Sequence, residues 1–227
     1  MDQFIGKHDR NRWLSYFDFL GVQALIAGGR EGTVFNAYWA AMREFKNHDK
    51  WAPTLGHAWL SDTFLIVGDD DSPECFARVE KMSRCFAGSL IGRGIPLRGS
   101  IACDRFYADF EDRTFFGRAL VEAYQIGECQ DWIGLVLCPS AERRLHEMPS
   151  GASINSYWRK VAIPWKKGLA NPDSLFACLL GSWGHVNGQN PLIEVLRTMR
   201  AGSVDERIAK KYERTIAFLE SQNPRNG

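Results

Sequence analysis

The sequence lacks the features that mark several broad classes of protein. No apolar run approaches the roughly 20 residues needed to span a bilayer. Residues 1–12 are polar and charged, which is unlike a signal peptide. Basic and acidic residues nearly balance, at 28 against 27, and no block of Lys and Arg occurs. We therefore expect no membrane association and no nucleic acid as the main partner.

Paired cysteine motifs are also missing. The six cysteines form no Cys-x-x-Cys pair, and their spacing with the five histidines is unlike that of a zinc site. We predict that they are reduced, mostly buried thiols of a cytoplasmic protein. They are Cys75, Cys85, Cys103, Cys129, Cys138 and Cys178.

The remaining composition is that of an ordinary globular chain. Apolar residues make up 45% of the 227 positions and charged residues 24%, which is typical of a folded domain. This length suits one large domain or a domain with an extension. We predict a core over residues 1–150 and a C-terminal extension, residues 151–227, packed on that core. The eight tryptophans are expected in the core or at an oligomer interface.

Two acidic residues stand inside apolar, strand-like segments. Asp18 lies between two phenylalanines in residues 16–22, and Asp62 lies within residues 59–67. A carboxylate is costly to bury unless it is paired or holds a metal. Either residue taken alone is also explained as a turn or helix-capping residue. Together they predict two facing carboxylates with a cation between them, for which Mg²⁺ or Mn²⁺ with a phosphate is the natural candidate.

The pattern of apolar residues and turn signals predicts an α+β fold. Its order, β-α-β-β-α-β and then α-β-α with a helical end, begins with the ferredoxin-like split pattern. That pattern places the first strand beside the third, so we expect Asp18 to lie near Asp62. The acidic residues 69–71 are expected to form a loop that caps the next helix rather than a calcium site.

The predicted bounds follow from the same signals. Residues 104–114 are expected to form a hairpin loop, and Ser140 is expected to be a helix N-cap. The predicted strands are 13–20, 56–60, 63–67, 97–103, 132–138, 154–161, 163–167 and 174–180. The predicted helices are 21–47 in one or two pieces, 74–91, 118–130, a short one beginning at 140, 191–201 and 204–222.

Four segments resemble motifs of the class III nucleotidyl cyclases. Residues 17–22, FDFLGV, resemble the first metal motif, and residues 61–65, SDTFL, resemble the second. Residues 97–102, LRGSIA, are similar to the strand that follows, and residues 116–123, FGRALVEA, to the helix at the dimer interface. The resemblance covers roughly residues 12–140. It implies a class III cyclase catalytic domain that works as a homodimer with active sites at the interface.

The resemblance further implies two-metal catalysis on a nucleoside triphosphate. Two Mn²⁺ or Mg²⁺ ions per site would be held by Asp18 and Asp62, with the Phe19 carbonyl as a further ligand. An arginine would meet the charge on the phosphates, and the candidates in falling order are Arg98, Arg105 and Arg118. The first motif would contact the nucleotide through backbone N–H groups and the open approach at a glycine. These contacts fall on Phe17, Phe19, Leu20, Gly21, Val22 and Gln23.

The positions that read the base depart from the purine cyclases. Ala58 stands where adenylyl cyclases carry a base-reading Lys, and Val121 and Gln125 stand where the interface helix usually supplies Asn and Arg. In this respect the chain resembles the bacterial pyrimidine cyclases of the Pycsar anti-phage systems. That resemblance implies UTP, or alternatively CTP, as the substrate and a separate effector protein activated by the cyclic nucleotide. An aromatic residue would stack on the base, with Tyr38, Trp51 and Trp59 as candidates.

Two other functions fit the same residues. An adenylate or guanylate cyclase with unusual base contacts would use the same two carboxylates. A nucleotide-binding regulatory module without catalysis would explain Val121 and Gln125, which cannot replace Asn and Arg. The candidate aromatics are also explained by core packing, and the candidate arginines by surface charge.

Overall fold

One mixed β-sheet runs through the protein, with helices on both faces. The computed structural model describes residues 9–49, 55–148, 154, 156–166, 172–181, 190–203 and 205–222. The strands are β1 (Asp9–Phe19), β2 (Gly56–Leu60), β3 (Thr63–Val67), β4 (Leu97–Asp109), β5 (Thr114–Gly117), β6 (Gly134–Leu137), β7 (Trp158–Val161) and β8 (Leu175–Cys178). The helices are α1 (Val22–Ala27), α2 (Glu31–Asp49), α3 (Pro73–Gly92), α4 (Arg118–Cys129), α5 (Pro139–Glu147), α6 (Pro191–Ala201) and α7 (Glu206–Ser221).

The strand order confirms the predicted α+β arrangement. The sheet runs β2-β3-β1-β4-β6-β8-β7, and β5 pairs with β4 beside this path. The first strand, β1, is antiparallel to both β3 and β4, so each βαβ crossover straddles one antiparallel strand, as the split pattern requires. Beyond β4 the sheet continues through the parallel strand β6 and the antiparallel strands β8 and β7.

The alternation of side chains along β1 divides the core into two layers. Trp13, Phe17 and Phe19 belong to the cluster that packs against α2, α3, α6 and α7. Leu14 and Tyr16 belong to the cluster that packs against α4. Because successive residues of a strand point to opposite faces, the position after Phe17 lies on the α4 side. The sheet therefore presents Asp18 to α4.

The start of α3 shows the predicted capping by the acidic loop. The Ser72 hydroxyl accepts the Cys75 N–H at 3.2 Å, and Pro73 occupies the first helical turn. Asp70 in turn accepts from the backbone N–H of Ser72 at 2.9 Å and from its hydroxyl at 2.6 Å. The loop thus satisfies backbone donors that a helix leaves open at its first turn.

The predicted hairpin loop over residues 104–114 is wrong. β4 continues to Asp109 and pairs with β5, so only residues 110–113 form the connection. The polar residues that suggested a loop are strand residues whose charges pair across the surface. Arg105 pairs with Asp9, and Arg118 pairs with Asp104.

Two smaller predictions also fail. The N-cap of α5 is Cys138, not Ser140; the Ser140 hydroxyl instead donates to Glu122 and accepts the Cys103 N–H at 3.1 Å. Of the predicted strand over residues 163–167, residue 167 lies outside the described residues, and residues 163–166 form one bridge, between Trp165 and Gln130. No helix among the described residues combines the length and apolar character needed to cross a membrane.

Candidate active site

Asp18 and Asp62 lie at the same end of the sheet on neighbouring strands. Asp18, the next-to-last residue of β1, is the register partner of Thr63, the first residue of β3. Asp62 directly precedes Thr63, and its carbonyl accepts the Phe19 N–H at 2.9 Å. The predicted proximity of the two acids is therefore confirmed, and their role as metal ligands stays a prediction.

The turn that carries Asp62 is tight. Leu60 and Thr63 are register partners, so only Ser61 and Asp62 connect β2 to β3. Ser61 has a φ of 57°, in the left-handed region that residues other than glycine rarely adopt. Its carbonyl accepts the indole N–H of Trp59 at 2.8 Å. This hydrogen bond helps to fix the turn, and with it the position of Asp62.

Asp18 is bound by an arginine that it shares with a second carboxylate. Arg98 is its register partner on β4, with Nε at 2.8 Å and Nη2 at 2.7 Å from Oδ2 of Asp18. The same Nη2 lies 2.6 Å from Oε2 of Glu128, near the end of α4. Burial, opposed by Arg98 and reinforced by Glu128, raises the pKa of Asp18 to about 6. Lys166 also approaches this group, with Nζ 3.9 Å from Oε2 of Glu128, so two cations face the two carboxylates.

Arg98 is engaged by its own chain through each of its nitrogens. Its Nη1 donates to the carbonyls of Glu128 at 2.8 Å and Gln130 at 3.2 Å, and its side chain is only 5% exposed. The predicted contact between Arg98 and a phosphate stays a prediction. What the structure shows is that Arg98 ties Asp18 to the end of α4.

Glu128 is a site residue that sequence reasoning missed. It lies seven residues after Val121 and three after Gln125, spacings that put all three near one face of α4. That helical spacing was the available signal. Gln130 was also missed. It follows α4 and holds the end of that helix against β4, because its side-chain amide donates to the Gly99 carbonyl at 3.0 Å.

Three aromatic rings pack beside the two acids. Tyr38 of α2 meets Trp59 edge-on with ring centroids 3.8 Å apart, and the two rings lie 5.0 and 6.0 Å from Phe19. The Tyr38 hydroxyl is buried and has no hydrogen-bond partner in the described part of the chain. Burial, reinforced by the charges of Asp62 and Asp18, raises the pKa of Tyr38. A buried hydroxyl without a partner is a donor available to a ligand.

The stacking role predicted for Tyr38 and Trp59 is compatible with this packing but stays a prediction. The third predicted stacking residue, Trp51, lies outside the described residues.

The backbone after β1 provides fewer free N–H donors than the first motif predicts. Gly21 adopts a left-handed conformation with φ of 74°, which glycine does without steric cost. A Cβ there would meet nothing within 4 Å, so the backbone of Gly21 borders open space. The Leu20 N–H, however, already donates to the Pro96 carbonyl at 2.8 Å. The prediction of a free donor at Leu20 is therefore wrong, and α1, with six residues, is too short for a strong dipole.

Phe17 and Val22 have buried side chains. Phe17 is fully buried and packs on Phe86 of α3 with ring centroids 5.3 Å apart. Val22 is 8% exposed and belongs to the same core cluster. Their side chains hold β1 and α1 in place and do not face a ligand, so any nucleotide contact at these positions falls to the backbone.

Two of the predicted phosphate-binding arginines lie at the far end of β4. Arg118 begins α4, and its Nη2 lies 2.9 Å from Oδ1 of Asp104. Arg105 neighbours Asp104 in sequence and pairs with Asp9. Asp104 is six residues along β4 from Arg98, or roughly 20 Å at the rise of a strand. Within one chain, neither arginine reaches Asp18.

The oxygen donors at the Asp18 end fit a small divalent cation. Carboxylates of Asp18 and Asp62 and the carbonyl of Phe19 are hard ligands of the kind that Mg²⁺ and Mn²⁺ prefer. Within the described ranges, no group of three or more His, Cys, Asp and Glu side chains is placed to hold a metal. Ions at this site would therefore need substrate oxygens or water to complete their coordination, which is the usual mode for Mg²⁺ with a phosphate.

The predicted base-reading positions of α4 border a surface groove. Val121, Tyr124 and Gln125 line a cavity of about 620 Å³ together with Leu60 and Thr63. Val121, Tyr124 and Leu60 are each more than half exposed. An apolar surface therefore extends from α4 to the hairpin that carries Asp62.

Comparison with known proteins identifies the fold. No protein-family model and no curated protein matches the chain. Among solved structures, the guanylyl cyclase Cya2 superposes with a TM-score of 0.53 at 12% identity, covering 78% of this chain and 96% of that one. The adenylyl cyclase CyaB from P. aeruginosa gives 0.51 at 12%, covering 75% and 95%.

An adenylate/guanylate cyclase/hydrolase from Silicibacter pomeroyi gives 0.52 at 14%, covering 75% and 96%. At these identities the likeness establishes the fold alone. The chain has the fold of a class III cyclase catalytic domain, as the resemblance of its motifs implies.

Proposed function

We propose that this chain is a metal-dependent nucleotide cyclase, which converts a nucleoside triphosphate into a cyclic nucleotide and pyrophosphate. One observation carries the proposal: in a fold shared with cyclase domains, Asp18 at the end of β1 lies beside the turn that holds Asp62. Arg98 pairs with Asp18, but Asp62 has no ion pair within the described residues, and two neighbouring carboxylates are the ligands that Mg²⁺ and Mn²⁺ prefer. A shared cation explains the arrangement.

The residues suit an intramolecular attack of the ribose 3′-oxygen on the α-phosphorus, with pyrophosphate as the leaving group. Asp18, Asp62 and the Phe19 carbonyl would hold two Mn²⁺ or Mg²⁺ ions. Bound there, the ions would lower the pKa of the 3′-hydroxyl and neutralise charge on the leaving group. Arg98 fixes the rotamer of Asp18 through Nε and Nη2. The carboxylate is thereby oriented before substrate arrives.

UTP is the substrate we propose, with CTP as the alternative. Ala58 sits on β2 opposite Leu65 and brings no hydrogen-bonding side chain to the place of a purine-reading lysine. Val121 is apolar and Gln125 is uncharged, so neither supplies the contacts of the usual Asn and Arg. An adenylate or guanylate cyclase is a further alternative, because the solved structures that share the fold carry those names.

We propose a homodimer with active sites at its interface. The exposed apolar side chains of Leu60, Val121 and Tyr124 adjoin the Asp62 turn. A contiguous apolar surface of this kind is typical of a protein–protein contact. A second copy covering it would bring residues of its own to the edge of the nucleotide site.

The proposed biological role rests on the resemblance to the Pycsar pyrimidine cyclases. The cytoplasmic enzyme would make cyclic UMP as a second messenger for a separate effector protein in bacterial antiviral defence. The departures at Ala58, Val121 and Gln125 support this role.

A nucleotide-binding module without catalysis is the second candidate. The engagement of Arg98 with Asp18, Glu128 and two carbonyls favours it, since no nitrogen of that guanidinium is left for a phosphate. Such a module would bind nucleotide and release it unchanged.

One experiment separates these functions. The purified chain is incubated with each of the four ribonucleoside triphosphates and Mn²⁺ or Mg²⁺, and products are identified by mass spectrometry. We expect cyclic UMP and pyrophosphate. Cyclic CMP would transfer the proposal to CTP, and cyclic AMP or cyclic GMP would overturn the pyrimidine assignment. Tight nucleotide binding with no cyclic product under any condition would establish the inactive module.

A further inference from the structure

A large cavity lies behind the candidate active site, between the β1–α1 turn and the two C-terminal helices. Its volume is about 780 Å³, within the range of small-molecule sites. One wall comprises Leu20, Gly21 and Leu25. The facing wall comprises apolar residues of α6 and α7, namely Val195, Met199, Ile208 and Tyr212.

The charged residues described in the lining of this cavity are basic. Arg30 and Lys211 belong to its lining, and none of the described lining residues is acidic. Arg30 is exposed at the rim, whereas Lys211 is half-buried. No ion pair involving the Lys211 ammonium is found in the part of the chain that the structure describes. A half-buried ammonium without a carboxylate partner on a largely apolar wall is unfavourable for the empty protein.

The electrostatic surroundings of Lys211 also disfavour its charged form in the empty protein. Burial, reinforced by the charges of Arg98 and Lys166, lowers the pKa of Lys211, and the nearby carboxylates of Asp131 and Asp18 only partly offset this. An anion beside the ammonium would relieve both the desolvation and the repulsion between the cations.

We propose that this cavity binds an amphipathic anion, whose negatively charged head lies at Lys211 and Arg30 and whose apolar body packs between Leu25, Val195, Met199 and Ile208. The walls favour such a ligand over a bare polyphosphate. Two cations on an apolar lining match one small anionic head. A triphosphate would instead leave most of its oxygens against hydrocarbon.

The position of the cavity couples it to the two acids. Leu20 and Gly21, which line it, directly follow Asp18 and Phe19 in the chain. Pro96, another lining residue, accepts the Leu20 N–H and precedes β4, which carries Arg98. A ligand in the cavity therefore contacts both segments that position Asp18. Only its effect on turnover rests on the proposed function; binding itself does not.

The test uses the full chain and simple probes. Decanoate and decyl phosphate supply the two kinds of anionic head, and decanol is the neutral control of equal length. Binding is measured by isothermal titration calorimetry without nucleotide. We expect both anions to bind about tenfold or more tightly than decanol, because one charge-assisted contact contributes that much. The tighter anion identifies the head group.

Matched variants locate the site. Lys211→Met should weaken binding of the anions about tenfold and leave decanol unaffected. Lys210→Met is the control, since Lys210 is exposed, pairs with Glu206 and does not line the cavity. Val195→Trp, which fills the cavity from one wall, should abolish binding of all three probes. Circular dichroism verifies that each variant is folded.

Several outcomes would overturn the proposal. They are equal affinity for decanoate and decanol, unchanged anion binding in Lys211→Met, or displacement of decanoate by pyrophosphate, which would make the cavity a phosphate subsite. Mn²⁺ affinity, followed by electron paramagnetic resonance, should shift at least about twofold on adding decanoate if the cavity and the acids are coupled. Anion binding without any cyclase turnover would contradict the proposed function but would still support the proposed anion site.

Discussion

Arg98 and Asp18 face each other across β4 and β1, with Nη2 of the arginine 2.7 Å from Oδ2 of the aspartate. The side chains are 5% and 13% exposed, so the pair is largely withdrawn from water. Glu128 completes the group from the end of α4. This ion pair joins the strand that carries one proposed metal ligand to the helix that carries the proposed base-reading positions.

Removing Arg98 should destabilise the fold. Arg98→Met leaves the buried Asp18 carboxylate without its cation, whereas Glu128 is about a third exposed and keeps its contact with Lys166. We expect a loss of about 3 kcal/mol in the free energy of unfolding by urea denaturation. Arg98→Lys should lose less, because it keeps the charge but not the fork of donors. Arg200→Met serves as the control, since the Arg200–Glu213 pair is about half exposed and should contribute less than about 1 kcal/mol. Equal losses in Arg98→Met and Arg200→Met would refute this account of Arg98.

Neutralising either proposed metal ligand should abolish turnover without unfolding the chain. Asp18→Asn and Asp62→Asn keep the shape of the side chain but lose the charge that holds a cation, so we expect a fall in kcat/KM of about a hundredfold or more. Steady-state assays with the preferred triphosphate measure it, and circular dichroism reports the fold. Asp112→Asn, at an exposed site in the 110–113 connection, should keep full activity. Near-normal turnover in Asp18→Asn would remove Asp18 from the metal site.

The packing of β1 on β4 should tolerate no side chain at Gly99. A Cβ there would come within 2.6 Å of the Phe17 ring and 2.9 Å of the Tyr16 carbonyl oxygen, and the backbone oxygen cannot move aside cheaply. We expect Gly99→Ala to lower the free energy of unfolding by about 1–3 kcal/mol. Gly32→Ala in α2, where a Cβ meets nothing within 4 Å, should instead raise it by about 0.5 kcal/mol. Thermal melts of the two variants should therefore shift in opposite directions.

The cap of α3 should make stability depend on acid pH. Partial burial alone would raise the pKa of Asp70, but hydrogen bonds from Ser72 outweigh it and hold the pKa below its usual range. The folded state therefore favours the ionised form. Its contribution is present above the unfolded pKa of about 3.9 and is lost as pH falls through the lower folded value. Asp70→Asn should have a flatter stability profile below about pH 4 than the parent chain, measured by urea denaturation across pH. Parallel profiles would show that Asp70 contributes nothing to acid sensitivity.

Local signals in the sequence were sufficient for most of the elements. The β2–β3 hairpin, α3 and α6 follow from turn residues and apolar periodicity, which act between residues close in the chain. The strand order also followed, because a split βαβ pattern has few arrangements. The far half of β4 was missed because its charged residues look like a loop until their partners, Asp9 and Arg118, are known.

The sequence by itself determined the α+β order and the proximity of Asp18 to Asp62, since both follow from pattern and connectivity. Only the tertiary structure decided what surrounds them. Arg98 meets Asp18 across 80 residues of chain, and Lys211 comes near the same site from the last described helix. Such contacts depend on which strands and helices become neighbours, and the local spacing of residues in the sequence does not predict those neighbours. The same packing gave Arg98 a role that the sequence did not predict, which is to hold Asp18 in place.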